Sequence, residues 1–325
     1  MSSGEPLADG MTANRHDVAV LVPCHNEERT IAKVVADFRT TLPAASIYVY
    51  DNNSTDHTAE AARQAGAAVR RETRQGKGYV VRRMFSDIEA DIYVLVDGDA
   101  TYDALSAPAM IAKLIEERLD MVVASRLDRE AAAYRRGHRV GNRLLAGLVT
   151  RMFGSAFTDI LSGYRVFSRR FVKSFPVLSG GFEIETELTV HALELELPVG
   201  ELATPYYSRP SGSDSKLSTS HDGFRILWTI LKLYRTERPL TFFGSAGLML
   251  AVTSIVLAIP IFTTYLQEGL VPRLPTAILS TGLMLLAFLF VAVGLILDTV
   301  TRGRRETKRI AYLALRAPAE EGHPT

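Results

Sequence analysis

The chain has one cysteine and one tryptophan among 325 residues, and its formal net charge is only +1. A lone Cys24 excludes an internal disulfide framework and fits a reducing compartment. The near-neutral balance gives no global reason to expect nucleic acid as a partner. The seven histidines are scattered without ligand spacing, so a histidine-based metal site is not expected. The first sixteen residues lack an apolar core, which argues against a signal peptide and reads as a mobile tail. No internal repeat is visible, and Gly76-Lys77-Gly78 falls short of a full phosphate-loop pattern.

Charge is also missing locally. Leu240–Leu266 and Thr276–Leu297 carry none. At about 1.5 Å per residue these segments reach roughly 33–40 Å, enough to cross a hydrocarbon layer of about 30 Å. They read as two transmembrane helices, the first kinked at Pro260. Lys232, Arg235 and Arg238 precede the pair and Arg302, Arg304, Arg305, Lys308 and Arg309 follow it, against Arg273 alone between them. That bias places both termini on the cytosolic side of the cell membrane. Gly223–Tyr234 is apolar with polar residues at helical spacing, and with Trp228 and Tyr234 it reads as an interfacial helix.

What remains reads as alternating strands and helices. Val18–Val22 is a strand ended by Pro23, Thr30–Thr40 a helix, and Ile47–Tyr50 a second strand followed by an Ala-rich helix. Ala67–Arg70 is a third strand, Gly76-Lys77-Gly78 opens a helix, and Ile92–Val96 is a fourth. This order predicts a parallel α/β sheet with right-handed crossovers. Ligands of such sheets bind at strand carboxyl ends. Three polar loops gather there: Pro23–Glu28, Asp51–Asp56 and Asp97–Asp103. In the last, Asp97 and Asp99 flank a glycine, and two carboxylates so close favour a cation between them.

Val-Pro-Cys-His-Asn-Glu-Glu (22–28), Asp-Asn-Asn-Ser-Thr-Asp (51–56), Gly-Lys-Gly (76–78) and Asp-Gly-Asp (97–99) together resemble family 2 glycosyltransferases of the GT-A fold. The resemblance continues through Ser125-Arg126, Gly141-Asn142-Arg143, Thr158-Asp159, Ser162-Gly163-Tyr164-Arg165 and Arg209–Lys216. This longer set is similar to dolichol-phosphate mannose synthase and bacterial polyprenyl-phosphate glycosyltransferases. The expected fold is then a Rossmann-like, mostly parallel sheet flanked by helices, with the interfacial helix and the two-helix hairpin appended.

Residue by residue, the resemblance implies that Pro23, Asn26 and Glu27 lie against base and ribose, and that Asp51 contacts the nucleoside. Asn53 and Lys77 join the donor site, and Asp97 and Asp99 hold Mg²⁺ or Mn²⁺ on the diphosphate. Arg126, Arg139, Asn142 and Arg143 would meet an acceptor phosphate, and Arg209, Ser213 and Lys216 would fold over the diphosphate. Asp99, Arg126 and Arg139 are the expected catalytic residues. His25 departs from the pattern, taking a place often aromatic or aliphatic in relatives. Glu183 reads equally as a site residue or a solvated face, Asp159 as a cap before Ser162, and Arg151, Arg169 and Arg170 as surface charges.

The implied partners are a nucleotide-diphosphate sugar of the GDP-mannose or UDP-glucose type, a polyprenyl phosphate and a lipid bilayer; a homo-oligomer is left open. A processive synthase on this fold carries Gln-x-x-Arg-Trp, whereas Trp228 follows Arg225-Ile226-Leu227. A sugar nucleotidyltransferase would need a Gly-rich opening loop, absent here, and a non-catalytic scaffold would not need the acidic set. The expected boundaries are a tail over 1–16, a glycosyltransferase domain over 17–217, a juxtamembrane helix over 218–238, the hairpin over 239–299 and a basic tail over 300–325.

Overall fold

The computed structural model describes residues 16–128, 147, 158–177, 180–181, 183–208, 228 and 231–315. Its centre is a seven-stranded sheet in the order β3-β2-β1-β4-β6-β5-β7. The strands are β1 (Val18–Cys24), β2 (Ser46–Asp51), β3 (Ala68–Arg71), β4 (Ile92–Leu95), β5 (Met121–Asp128), β6 (Arg165–Ser168) and β7 (Val199–Tyr206). Around them lie α1 (Ile31–Thr41), α2 (Thr58–Gln64), α3 (Lys77–Asp87), α4 (Ala107–Glu116), α5 (Arg169–Ser174) and α6 (Ile184–Glu194).

The sheet is mixed. β1 pairs in parallel with β2 and β4, β2 with β3, and β5 with β7. β6 runs antiparallel to both β4 and β5, so the sheet is mostly rather than wholly parallel, as the resemblance implied. Strand direction depends on how the chain re-enters the sheet, which no local period reports. β1 also continues through Pro23 to Cys24, whose partners are Tyr50 and Asp51. Its pairing with β4 ends at Leu21, whose carbonyl faces that side. Pro23 has the same orientation, so its missing N–H costs no ladder bond.

Val18, Val20, Val22, Val94 and Val122 form one buried face with Ile31, Val35 and Phe38 of α1 and Met110 and Ile111 of α4. On α3 and α5, Phe85 and Phe171 make aromatic contacts with Tyr93 and Phe167 of the sheet. His191 packs edge-on against Phe171 and Phe175 at 5.4 and 5.0 Å.

Two helices, α7 (Pro239–Glu268) and α8 (Leu274–Leu313), are long and apolar enough to cross a membrane. Little of their apolar surface is covered by protein, unlike a core helix of a soluble domain. They approach closely where Gly247 meets the Ala287 carbonyl, and Ser254 donates to the Ser280 carbonyl at 2.6 Å. α8 runs past the expected end at Leu297. The residues beyond it favour helix, and Arg302 bonds Asp298 one turn back. The helical stretch 231–237 ends at buried Glu237, which pairs with Arg304 at 2.7 Å.

The chain divides into two compact units, Phe224–Thr307 and the remainder, so the segment from Lys308 belongs with the sheet. There Lys308 pairs with buried Glu194 at 2.6 Å, and Tyr312 donates to buried Asp120 at 2.6 Å. Arg170 lies over the Tyr312 ring and pairs with Asp120 at 3.4 Å, so it is no plain surface charge.

Burial, aided by the Lys308 cation, pushes the His191 pKa from 6.5 to about 3. Between those values the unfolded chain binds a proton that the native ring refuses, so stability falls as pH drops below 6.5. The slope is about 1.4 kcal/mol per pH unit. In melts from pH 7 to 4, the wild type should lose stability more steeply than His191→Phe; parallel curves would contradict this.

Candidate active site

The loops after β1, β2 and β4 are bonded into one edge. Asn26, in the left-handed region at φ 52°, donates its backbone N–H to the Ser54 hydroxyl at 2.9 Å. Its side-chain oxygen accepts from the Thr55 N–H at 2.8 Å. Glu27 N–H donates to the Thr58 hydroxyl at 2.8 Å, and the Thr30 hydroxyl donates to the Gly98 carbonyl at 2.7 Å. Asn53 (φ 59°) and Ala100 (φ 59°) give the other two loops their own left-handed residues. Asparagine tolerates that conformation; alanine holds it at a cost of roughly 1–2 kcal/mol.

Asp51 is buried and accepts the Ser54 N–H at 3.1 Å, closing its own turn. The Asn52 side chain accepts from the Gly76 N–H at 2.8 Å, and Asn53 donates to the Thr73 carbonyl at 2.7 Å. Both asparagines therefore hold the segment that leads into α3. Pro23 and His25 are half-buried, Asn26 is exposed and Glu27 is buried.

Lys77, the first residue of α3, stands between two carboxylates. Its ammonium lies 2.5 Å from Asp97 Oδ1 and 2.6 Å from Glu185 Oε1 of α6. Burial disfavours the ammonium, but the two carboxylates outweigh that and raise its pKa above the ordinary lysine value. Asp97 is 29% exposed, whereas Lys77 and Glu185 are 9% and 8% exposed, so Asp97 is the end that faces solvent. A Cβ on Gly163 would overlap Asp97 Oδ2, which explains a glycine there. Asp99 is buried, and its Oδ1 accepts the Thr101 hydroxyl at 2.6 Å.

Beside this lies a second buried ion pair. Arg126 donates to Asp159 through Nε at 2.5 Å and Nη2 at 2.8 Å, and its guanidinium sits 5.3 Å above the Tyr206 ring. Asp159 thus serves the guanidinium, while its own N–H donates to Glu201. Fully buried Arg165 donates to the Ile160 and Ser162 carbonyls and to Thr189, pinning the loop that carries Gly163. Burial lowers its pKa to about 10, partly offset by Glu185. The Tyr102 hydroxyl accepts from the Gly163 N–H at 2.9 Å.

Arg139, Asn142, Arg143, Arg151, Arg209, Ser213 and Lys216 lie outside the described residues, as does most of 218–230. Glu183 immediately precedes α6 and is half-buried. From this stretch Glu185 pairs with Lys77, and its alternation with Glu183 and Glu187 gave no means of choosing it from the sequence. Among the described residues no three His, Cys, Asp or Glu side chains gather to hold a metal. The turn of Asp97 and Asp99 offers two hard oxygen donors, which suits Mg²⁺ or Mn²⁺ completing its shell with water and phosphate oxygens.

The profile of Glycosyl transferase family 2 matches residues 19–175. Glycosyltransferase AglJ of Haloferax volcanii is 35% identical over 299 residues, covering 91% of this chain and 98% of that protein. A dolichyl-phosphate hexose transferase of the same organism is 28% identical over 68% of this chain and 96% of its own length. Among solved structures, glucosyl-3-phosphoglycerate synthase of Mycobacterium tuberculosis, in complex with Mn²⁺, UDP-glucose and phosphoglyceric acid, superposes with a TM-score of 0.57. It is 22% identical and covers 71% of this chain and 85% of that one, a likeness of fold.

Asp159→Asn should destabilise the protein by about 3–5 kcal/mol, because it removes the buried carboxylate that takes two hydrogen bonds from the Arg126 guanidinium. Arg126→Leu/Asp159→Leu should cost markedly less. Chemical denaturation of the three variants measures the difference; equal losses would contradict a coupled pair.

Proposed function

Because the chain belongs to glycosyltransferase family 2, we propose that it moves one sugar from a nucleotide-diphosphate sugar to a polyprenyl phosphate at the cytosolic face of a membrane. The observation that carries this reading is the partly exposed Asp97 carboxylate, held by Lys77 where three strand-end loops converge. The donor class is supported by the UDP-glucose complex of the fold relative, and the acceptor class by the name of the dolichyl-phosphate hexose transferase. The membrane location is supported by the two apolar helices and the basic residues at their outer flanks.

Cleavage of the anomeric C–O bond leaves negative charge on the departing diphosphate. A divalent ion on Asp97 and Asp99 would neutralise that charge. At about 4 Å and an effective dielectric near 20, each unit charge pair contributes about 4 kcal/mol. The chain's own residues do the positioning. Before the ion binds, Lys77 and the close approach of Gly163 set the position of the Asp97 carboxylate, Thr101 fixes Asp99, and the loops braced by Asp51 and Asn26 would form the floor for the nucleoside.

Arg139, Asn142 and Arg143 hold the acceptor phosphate, and Arg209 and Lys216 cover the diphosphate and exclude water. Arg126 is paired with Asp159, so it would meet the phosphate as a shared guanidinium, as much a positioning group as a ligand. A lipid phosphate is already anionic near neutral pH and attacks the anomeric carbon directly. No general base is needed, and the configuration inverts.

Purified protein incubated with a polyprenyl phosphate and a panel of GDP- and UDP-sugars should release nucleotide diphosphate only with Mg²⁺ or Mn²⁺. Asp99→Asn should lower kcat/KM by about 100-fold or more while its circular dichroism stays unchanged. Turnover without metal, or near-normal turnover of the variant, would remove the metal role. An NMR assignment of the product should show inversion, and retention would sink direct attack.

A further inference from the structure

Lys77 does more than neutralise charge. We propose that its ammonium is a resident cation of the Asp97 carboxylate, which gives way to the divalent ion by retreating onto Glu185. This rests on Asp97 and Asp99 being the metal site.

Asp97 is crowded on both oxygens. Oδ1 accepts the Lys77 ammonium at 2.5 Å, and Oδ2 lies against Gly163 so closely that a Cβ there would overlap it. The same Cβ position is only 3.0 Å from Lys77 Nζ, so ammonium, carboxylate and glycine share one small space. A divalent ion that bonds Asp97 must approach within a few ångströms of this ammonium, where like charges repel strongly. The two cations compete for one carboxylate.

Glu185 makes the exchange feasible. It lies on the inner side, almost fully buried, 2.6 Å from the same nitrogen. One ammonium between two carboxylates leaves a net charge of −1. When the divalent ion takes Asp97, Lys77 and Glu185 remain as a neutral pair, and no buried charge is stranded. Without Glu185, the retreating ammonium would have no anionic partner of its own.

The backbone beneath Lys77 is fixed, so the side chain has to make the move. Gly76 sits at φ 136°, a conformation that favours glycine, and a Cβ there would overlap the Gly180 carbonyl. Its N–H is bonded to Asn52, and its carbonyl accepts from Tyr79 and Val80 as α3 begins. The flexible lysine stem swings a compact point charge from this anchor, which a planar guanidinium would do poorly.

Competition and simple electrostatics predict different affinities for Mn²⁺, measured by electron paramagnetic resonance on the detergent-solubilised full chain, with and without UDP or GDP. Glu185→Gln should bind Mn²⁺ about tenfold more weakly than wild type, because Lys77 is left with Asp97 alone. Lys77→Met/Glu185→Gln has the same net charge around Asp97 as wild type, yet should bind about tenfold more tightly, because the rival cation is gone. Thermal melts confirm that both variants are folded. A folded double variant that binds no more tightly than wild type would overturn the exchange while leaving the metal site intact. If wild type binds no Mn²⁺ with either nucleotide, or if Asp99→Asn binds as well as wild type, the metal reading fails and the exchange falls with it.

Discussion

The ammonium of Lys77 joins three parts of the chain that are distant in sequence: the start of α3, the turn after β4 and the first turn of α6. Two carboxylates at the rim of a core repel each other and resist burial, and a single cation between them turns that cost into a fixed geometry. Much of the edge follows from it. Gly163 is small because Asp97 is held where it is, and Arg165 is buried because the loop carrying Gly163 needs its carbonyls bonded. Asn52 and Asn53 serve the same end by fixing the segment that delivers Lys77.

The antiparallel β6 is what lets this edge form. Tyr164 and Gly163 precede β6 and so arrive at the same end of the sheet that β1, β2 and β4 reach with their carboxyl ends. A parallel strand would have delivered its carboxyl end there instead. The second buried pair, Arg126 with Asp159, spans the same region from the end of β5 to the residues before β6. The Lys77 edge and the Arg126 side are therefore both braced by ion pairs, with Tyr102 bonded to Gly163 between them.

At the far end of α8 the basic segment is not a free tail. Lys308 and Tyr312 meet Glu194 and Asp120, both buried, and Asp120 also accepts from Ser168 at 2.6 Å. The Tyr312 pKa is raised by burial and by its bond to Asp120, so the hydroxyl stays a donor near neutrality.

Features that depend on neighbours in sequence were legible without a structure. The apolar run into Asp97-Gly98-Asp99, the helix opened at Lys77 and the two uncharged spans each follow from local propensity or length. The resemblance drawn from several motifs in order extended that reading to the family. Tertiary structure alone decided the rest. Lys77 and Glu185 are 108 positions apart, Arg126 and Asp159 33, and Asp120 and Tyr312 192. No period or propensity couples such positions, because the pairing of buried charges is settled only when the sheet brings them to one edge and water is excluded. That is why Glu185 could not be told from Glu183 in the sequence, and why the direction of β6 emerged only with the fold.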